Sequence, residues 1–209
     1  MKNELRKKAL LLSAFTIAYN LVEGVVSIYL GISEDAVSLA GFGGDSLIEV
    51  GSALLVVWRF RGENDESIRN LAKERSATLG IGILFGFLGV VTAATAVFRF
   101  VSGQGPQSTL AGVVISILSL SFMFYLWKAK EAVARQLDSA TMMSDARCSL
   151  ACIKLSVILL LGSGLFMLAP SLWWIDSAAA IALAIFIGKE GWEMIVASRA
   201  KQFTGGCCG

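Results

Sequence analysis

The chain has 209 residues, of which 56% are hydrophobic and only 16% are charged, and its mean hydropathy is +0.70. This composition is typical of a membrane protein with several spans and excludes a soluble domain. The formal net charge of +2 gives no sign of a nucleic-acid partner, and the absence of histidine restricts any metal site to carboxylate, thiol, amide or backbone donors.

Six apolar segments follow one another along the chain, and each is long enough to cross a bilayer, since a helical span needs about 20 residues. They cover residues 9–32, 36–58, 76–101, 109–127, about 139–168 and 172–196. The basic N-terminus before the first segment is similar to the start of a signal peptide. No small-residue cleavage site follows it, so we interpret the first segment as a retained span.

The basic residues predict the orientation of these spans. Two charged stretches lie at 59–75 and 128–138, and the second is interpreted as an extension of helices four and five. With six spans, nearly all lysines and arginines fall on one side of the membrane, with Arg99 as the exception, so both termini are expected in the cytoplasm. The sequence therefore predicts an all-α polytopic membrane protein, with a six-helix transport domain at 1–199 and a short flexible cytoplasmic tail at 200–209.

Two further features each have more than one interpretation. Gly82 and Gly86 form a G-x-x-x-G pair, which lets two helices approach closely. The pair is either a dimer face or a contact inside one chain. Cys207 and Cys208 in the tail have three interpretations: capture of a soft metal ion, attachment of a lipid, or no specific role.

Two carboxylates, Asp45 and Glu49, lie four residues apart inside the second apolar segment. That spacing places them on one face of a helix, one turn apart. A charged side chain at the bilayer centre costs at least about 2.5 kcal/mol, and two neighbouring carboxylates also repel each other. Such a pair persists where a cation neutralises it or where it holds protons. The alternative is an ion pair with a basic residue in the membrane, such as Arg147 or Lys154.

Cys148 and Cys152 repeat the same spacing in the fifth segment. A buried cysteine is often only a small apolar side chain, but a neighbouring arginine would favour the thiolate, which is the form that binds metal. Two carboxylates and two thiols are a donor set for one four-coordinate metal site. The sequence therefore predicts a site made of Asp45, Glu49, Cys148 and Cys152.

Four other acidic or polar residues fall within or near the apolar segments. Asn20 and Glu23 in the first segment either line the transport path or, in the case of Glu23, bind a basic residue. Asp145 lies near the site or at a solvated helix end. Asp176 is expected to cap the last helix, because a carboxylate is favourable at a helix N-terminus.

These residues resemble the cation diffusion facilitators, a family of six-span exporters of divalent metals. The second helix of that family carries a His/Asp-x-x-x-Asp pair, which Asp45 and Glu49 match. The fifth helix typically reads Ser-x-Ala-x-x-Ala-Asp-x-x-His-x-x-x-Asp, and residues 139–152 follow that frame with Cys148 in place of the histidine and Cys152 in place of the aspartate. The resemblance extends over about residues 14–199.

The resemblance implies a homodimer with one metal site in each protomer, and metal/proton antiport by alternating access. The family usually adds a cytoplasmic metal-binding domain, which this chain is expected to lack, so the dimer would form through the transmembrane helices. We expect no enzymatic activity and no resident cofactor. A bacterial inner membrane is the expected location.

The donor set favours Zn²⁺ or Cd²⁺ as the transported ion, because thiolates select soft ions and serve manganese and magnesium poorly. Three alternatives remain open from the residues. The first is a transporter of Hg²⁺ or Cu⁺ that uses the thiols alone. The second is a membrane thiol-redox protein, and the third is a protein that senses metal without transporting it.

Overall fold

The structure is a computed structural model that describes residues 2–33, 37–61, 68–103, 110–168 and 174–200. The described residues form six α-helices and contain no strand, which confirms the predicted all-α class. The helices are α1 (Lys2–Ser33), α2 (Val37–Phe60), α3 (Ile68–Ser102), α4 (Leu110–Leu137), α5 (Ala140–Leu168) and α6 (Trp174–Arg199). The predicted tail from residue 201 onward, with Cys207 and Cys208, lies outside the described residues.

The turn between α4 and α5 is tight. Asp138 adopts a left-handed conformation with φ of 48°, which Asp tolerates better than most residues. The Ser139 amide donates to the Ala134 carbonyl oxygen at 3.1 Å, which closes the end of α4. The Ser139 hydroxyl then accepts a hydrogen bond from the Met142 amide at 3.2 Å and caps α5. The chain thus reverses direction, and α5 runs back along α4.

Glu74 of α3 joins three helices at this end of the bundle. Its buried carboxylate pairs with Arg59 of α2. It also accepts hydrogen bonds from the Ser139 hydroxyl at 2.6 Å and the Thr141 amide at 2.8 Å. A carboxylate is favourable at the N-terminus of a helix, where the first amides have no helical partner. This contact fixes the start of α5 against α2 and α3.

Close helix contacts at glycines pack α3 against α6. A Cβ atom on Gly82 would lie 3.0 Å from the Gly191 carbonyl oxygen, and one on Gly191 would lie 3.0 Å from the Gly86 amide nitrogen. Gly82 and the backbone nitrogen of Gly86 therefore lie against α6 of the same chain, whereas a Cβ atom on Gly86 would meet no atom within 4 Å. The contact inside one chain is thus present at this pair, and a dimer face at Gly82 and Gly86 stays a prediction.

The distribution of polarity is that of a membrane protein. Large apolar side chains face outward: Leu11 and Tyr29 are each 71% exposed, and Val101 is 80% exposed. Many hydroxyl and charged side chains are instead buried between the helices. Three helical stretches, Asn3–Ser33, Leu71–Ser102 and Val113–Leu137, meet the length and hydropathy expected of a membrane span within the described parts of the chain.

Candidate metal site

The four residues of the predicted site come to the interface between α2 and α5. Asp45 and Glu49 of α2 are 8% and 0% exposed, and Cys148 and Cys152 of α5 are 0% and 4% exposed. Each pair lies one turn apart on its own helix, as the spacing predicts. The two helices contact each other along this face.

A hydrogen-bonded chain connects three of the four side chains. The Cys152 thiol donates to the Asp45 carboxylate, and the thiols of Cys148 and Cys152 are hydrogen-bonded to each other. Both cysteines are free thiols, not a disulfide. One carboxylate and two sulfur atoms therefore lie together between α2 and α5.

The fourth residue, Glu49, is held by different partners. Its Oε1 atom accepts a hydrogen bond from the Ser149 hydroxyl and lies 3.3 Å from the Lys130 ammonium. Lys130 belongs to α4 and is completely buried. The same ammonium lies 3.0 Å from Oδ2 of Asp145 and 2.9 Å from the Ser149 hydroxyl. Lys130 thus joins a carboxylate of α2 to a carboxylate of α5.

Asp145 belongs to this cluster and is completely buried. Besides Lys130, it accepts a hydrogen bond of 2.6 Å from the Ser52 hydroxyl of α2. The interpretation of Asp145 as a solvated helix end is therefore wrong, and the alternative that places it near the site is correct. Its charge-paired position explains how a third carboxylate is tolerated there.

The base that neutralises these carboxylates is not one of the two that the sequence suggested. Arg147 lines a cavity of about 320 Å³ between α4, α5 and α6, together with Glu190. Lys154 lies over the Phe186 ring with its ammonium 3.8 Å from the ring centroid. Both face away from the α2–α5 interface, because they lie on a different side of α5 from the cysteines.

The composition around Lys130 is that of a solvated segment and does not indicate a buried side chain. The sequence feature that indicates a buried Lys130 is the helical periodicity around it. If span four is continued as a helix, Lys130 shares one face with Met123, Leu126 and Ala134, all of which are buried. A lysine in the middle of an otherwise buried face predicts an internal partner.

Two buried oxygen atoms of the site lack a hydrogen-bond partner in the structure: Oδ1 of Asp45 and Oε2 of Glu49. Burying a carboxylate oxygen is costly in free energy unless a hydrogen-bond donor or a cation binds to it. Among the residues that the structure describes, no group of three or more cysteine, aspartate or glutamate side chains is arranged closely enough to hold a metal ion. Coordination by all four residues would require their side chains to converge.

A second buried carboxylate lies beside the site on α1. Glu23 is 8% exposed and accepts a hydrogen bond from the Ser46 hydroxyl of α2 at 3.1 Å. No basic side chain pairs with Glu23 within the described ranges, so of the two alternatives for Glu23 the one with a basic partner does not hold there. The side chain of Asp176 lies outside the described residues, and its predicted capping role stays a prediction.

Comparison with known proteins agrees with the resemblance. A family model described as the cation efflux transmembrane domain matches residues 9–201. The chain is also similar to Transmembrane protein 163 of Xenopus laevis, with 22% identity over 191 residues that cover 91% of this chain and 67% of the relative. An amphibian relative gives no support to a bacterial membrane, and that location stays a prediction.

Proposed function

This chain belongs to the cation efflux family, and we propose that it exports a borderline-to-soft metal cation, Zn²⁺ or Cd²⁺, from the cytoplasm in exchange for protons. In this proposal six helices span the membrane, both termini are cytoplasmic, and the active form is a homodimer. The metal is bound by Asp45, Glu49, Cys148 and Cys152 and reaches each side of the membrane in turn.

The two buried carboxylate oxygens without a partner, on Asp45 and Glu49, are the observation that carries this proposal. They belong to the two side chains that the spacing selected, and two thiols lie across the same interface. Two oxygen and two sulfur donors suit a tetrahedral ion that accepts both, as Zn²⁺ and Cd²⁺ do.

Lys130 supplies the charge compensation that such a site needs. Four deprotonated ligands would place four negative charges around an ion with two positive charges. The buried ammonium lies 3.3 Å from Glu49 and offsets part of that excess. For Glu49 to coordinate the metal through both oxygens, its Oε1 atom must exchange Lys130 and Ser149 for the ion.

Proton exchange follows from the ligand chemistry. Thiols and carboxylates bind a metal only after they lose their protons, so metal binding releases protons and weakens in acid. When the site opens to the outside, external protons compete for the ligands and release the ion. Metal export is thereby coupled to proton import.

One observation favours a second candidate cargo. Because Glu49 is already held by Lys130 and Ser149, the donors with no cationic partner are Asp45 and the two thiols. Hg²⁺ and Cu⁺ accept low coordination by sulfur and would need only the thiols. The thiol-redox alternative has no such support, since both cysteines are buried and exchange requires access to the sulfur.

Metal uptake by proteoliposomes tests this proposal. We expect Zn²⁺ and Cd²⁺ flux that exceeds Mn²⁺ flux and that falls at least about 100-fold in Asp45→Asn and in Cys148→Ser/Cys152→Ser, because each variant removes direct ligands. Glu193→Gln is the matched carboxylate control, since Glu193 is 56% exposed on α6. Flux of Hg²⁺ alone that depends only on the cysteines would support the second cargo, and no flux of any ion would refute transport by this site.

A further inference from the structure

Glu23 occupies a polar chamber built by three helices. The Tyr19 hydroxyl donates to Oε1 of Glu23 at 3.0 Å, and the Ser46 hydroxyl of α2 donates to Oε2 at 3.1 Å. Ser119 of α4 supplies a third side-chain hydrogen bond. The Tyr19 ring stacks on Phe122 of α4 with a centroid distance of 4.0 Å, which holds the phenol in place. All donors in the chamber are neutral hydroxyl groups.

The charged groups near Glu23 are negative. Asp45 and Glu49 of α2 interact with it as like charges, Tyr19 is the titratable neighbour on its own helix, and the group that α4 contributes, Ser119, carries no charge. A buried carboxylate without a counter-charge is costly, and three neutral donors offset only part of that cost. The surroundings therefore favour binding of a cation or a proton at Glu23.

Unpartnered acceptors flank the chamber. Asn20 lies three residues before Glu23 on the same helical face and is completely buried, and its Oδ1 atom has no hydrogen-bond partner. Asp45, next in sequence to Ser46, has a buried Oδ1 atom without a partner. Hydroxyl groups can donate hydrogen bonds to the ionised form of Glu23, and unpartnered acceptor oxygens can accept one from its protonated form. The chamber is thus equipped for both states.

The chamber adjoins Asp45 and lies about one turn of α2 from Glu49, which pairs with Lys130. Glu23 lies late in α1, whereas Asp45 and Ser119 lie early in α2 and α4, and consecutive helices run in opposite directions. Lys130 lies late in α4, and Asp145 lies early in α5. Glu23 is therefore level with Ser46, in the same turn of α2 as Asp45.

We infer that Glu23 is a further residue of the transport path, the carboxylate beside Asp45 that carries the exchanged proton. This inference rests on the proposed antiport. A proton from water outside adds to a Glu23 oxygen and forms an O–H bond, and the same proton leaves to water on the cytoplasmic side when the path has opened there. The chamber offers one carboxylate and no thiol, and its neutral hydroxyl oxygens are poor ligands for a soft ion, so the proton is the expected occupant of Glu23.

The test compares Glu23→Gln with wild type in proteoliposomes by two assays. One is metal exchange at equal pH on both sides, and the other is metal accumulation driven by a pH gradient. We expect Glu23→Gln to keep exchange within about twofold of wild type but to lose at least about tenfold of the gradient-driven accumulation, because glutamine keeps the shape but carries no proton. Glu193→Gln should leave both assays unchanged.

Glu23→Asp keeps a titratable group and should recover part of the gradient-driven accumulation, which separates proton carriage from a structural role. Gradient-driven accumulation by Glu23→Gln at the wild-type level would overturn the inference. Loss of equal-pH exchange in Glu23→Gln would also overturn it, since Glu23 would then be needed for metal binding or folding. A wild-type protein that moves no metal would instead refute the proposed antiport itself.

Discussion

The Lys130→Met variant is expected to lose about 3–5 kcal/mol of unfolding free energy relative to wild type, because methionine leaves two buried carboxylates without their counter-charge. Glu49 and Asp145 both depend on this ammonium, at 3.3 and 3.0 Å. Methionine keeps most of the apolar stem, so the change isolates the charge. Denaturant titration of the protein in detergent micelles measures the difference.

Lys128→Met is the matched control for this prediction. Lys128 lies on the same helix, is 55% exposed, and is 3.9 Å from Glu131. An exposed pair of this kind contributes at most about 1 kcal/mol. The double variant Lys130→Met/Asp145→Asn should recover part of the lost stability, because only one unpaired carboxylate then remains. Equal stability of the Lys130→Met and Lys128→Met variants would show that the internal ion pairs do not form.

The second large effect is expected at the thiols. Replacing Cys148 with histidine and Cys152 with aspartate gives α5 the donor pair that the cation diffusion facilitators typically have. We expect this variant to transport Zn²⁺ but to lose at least about tenfold of its preference for Cd²⁺ over Zn²⁺, because thiolates select the softer ion. Competition of Cd²⁺ with Zn²⁺ uptake measures the preference.

Cys148→Ser/Cys152→Ser is the companion variant, since serine keeps the size of the side chain but is a weak ligand. Cys148→Ser/Cys152→Ser should lose transport of both Zn²⁺ and Cd²⁺. Cys148→His/Cys152→Asp should lose only the preference for Cd²⁺ over Zn²⁺. If wild type and Cys148→His/Cys152→Asp show the same preference for Cd²⁺ over Zn²⁺, the cysteines do not bind the ion.

Local sequence patterns were sufficient to predict the helices and the two helix faces that form the site. Six apolar stretches predicted six helices, and the i, i+4 spacings placed Asp45 with Glu49 and Cys148 with Cys152. Helical periodicity is a local property, so it can be read without knowledge of the packing. The ligand role of these residues stays a prediction.

The partners of the site could not be predicted in the same way, because they depend on how distant segments pack. Lys130 comes 81 residues after Glu49 in the chain, and its surroundings have the composition of a solvated loop. Ser149 and Ser46 are common small residues whose spacing carries no signal. The Gly82 pattern fits a contact within one chain as well as one between two chains, and the contact with α6 depends on the packing of distant segments.

X-ray absorption spectroscopy of the purified protein loaded with Zn²⁺ identifies the metal ligands, because it counts the sulfur and oxygen atoms bound to the metal. We expect two sulfur neighbours at about 2.3 Å and two oxygen neighbours at about 2.0–2.2 Å. Cys148→Ser/Cys152→Ser should remove the sulfur shell. A first shell of oxygen atoms alone in the wild-type protein would contradict a site shared by the carboxylates of α2 and the thiols of α5.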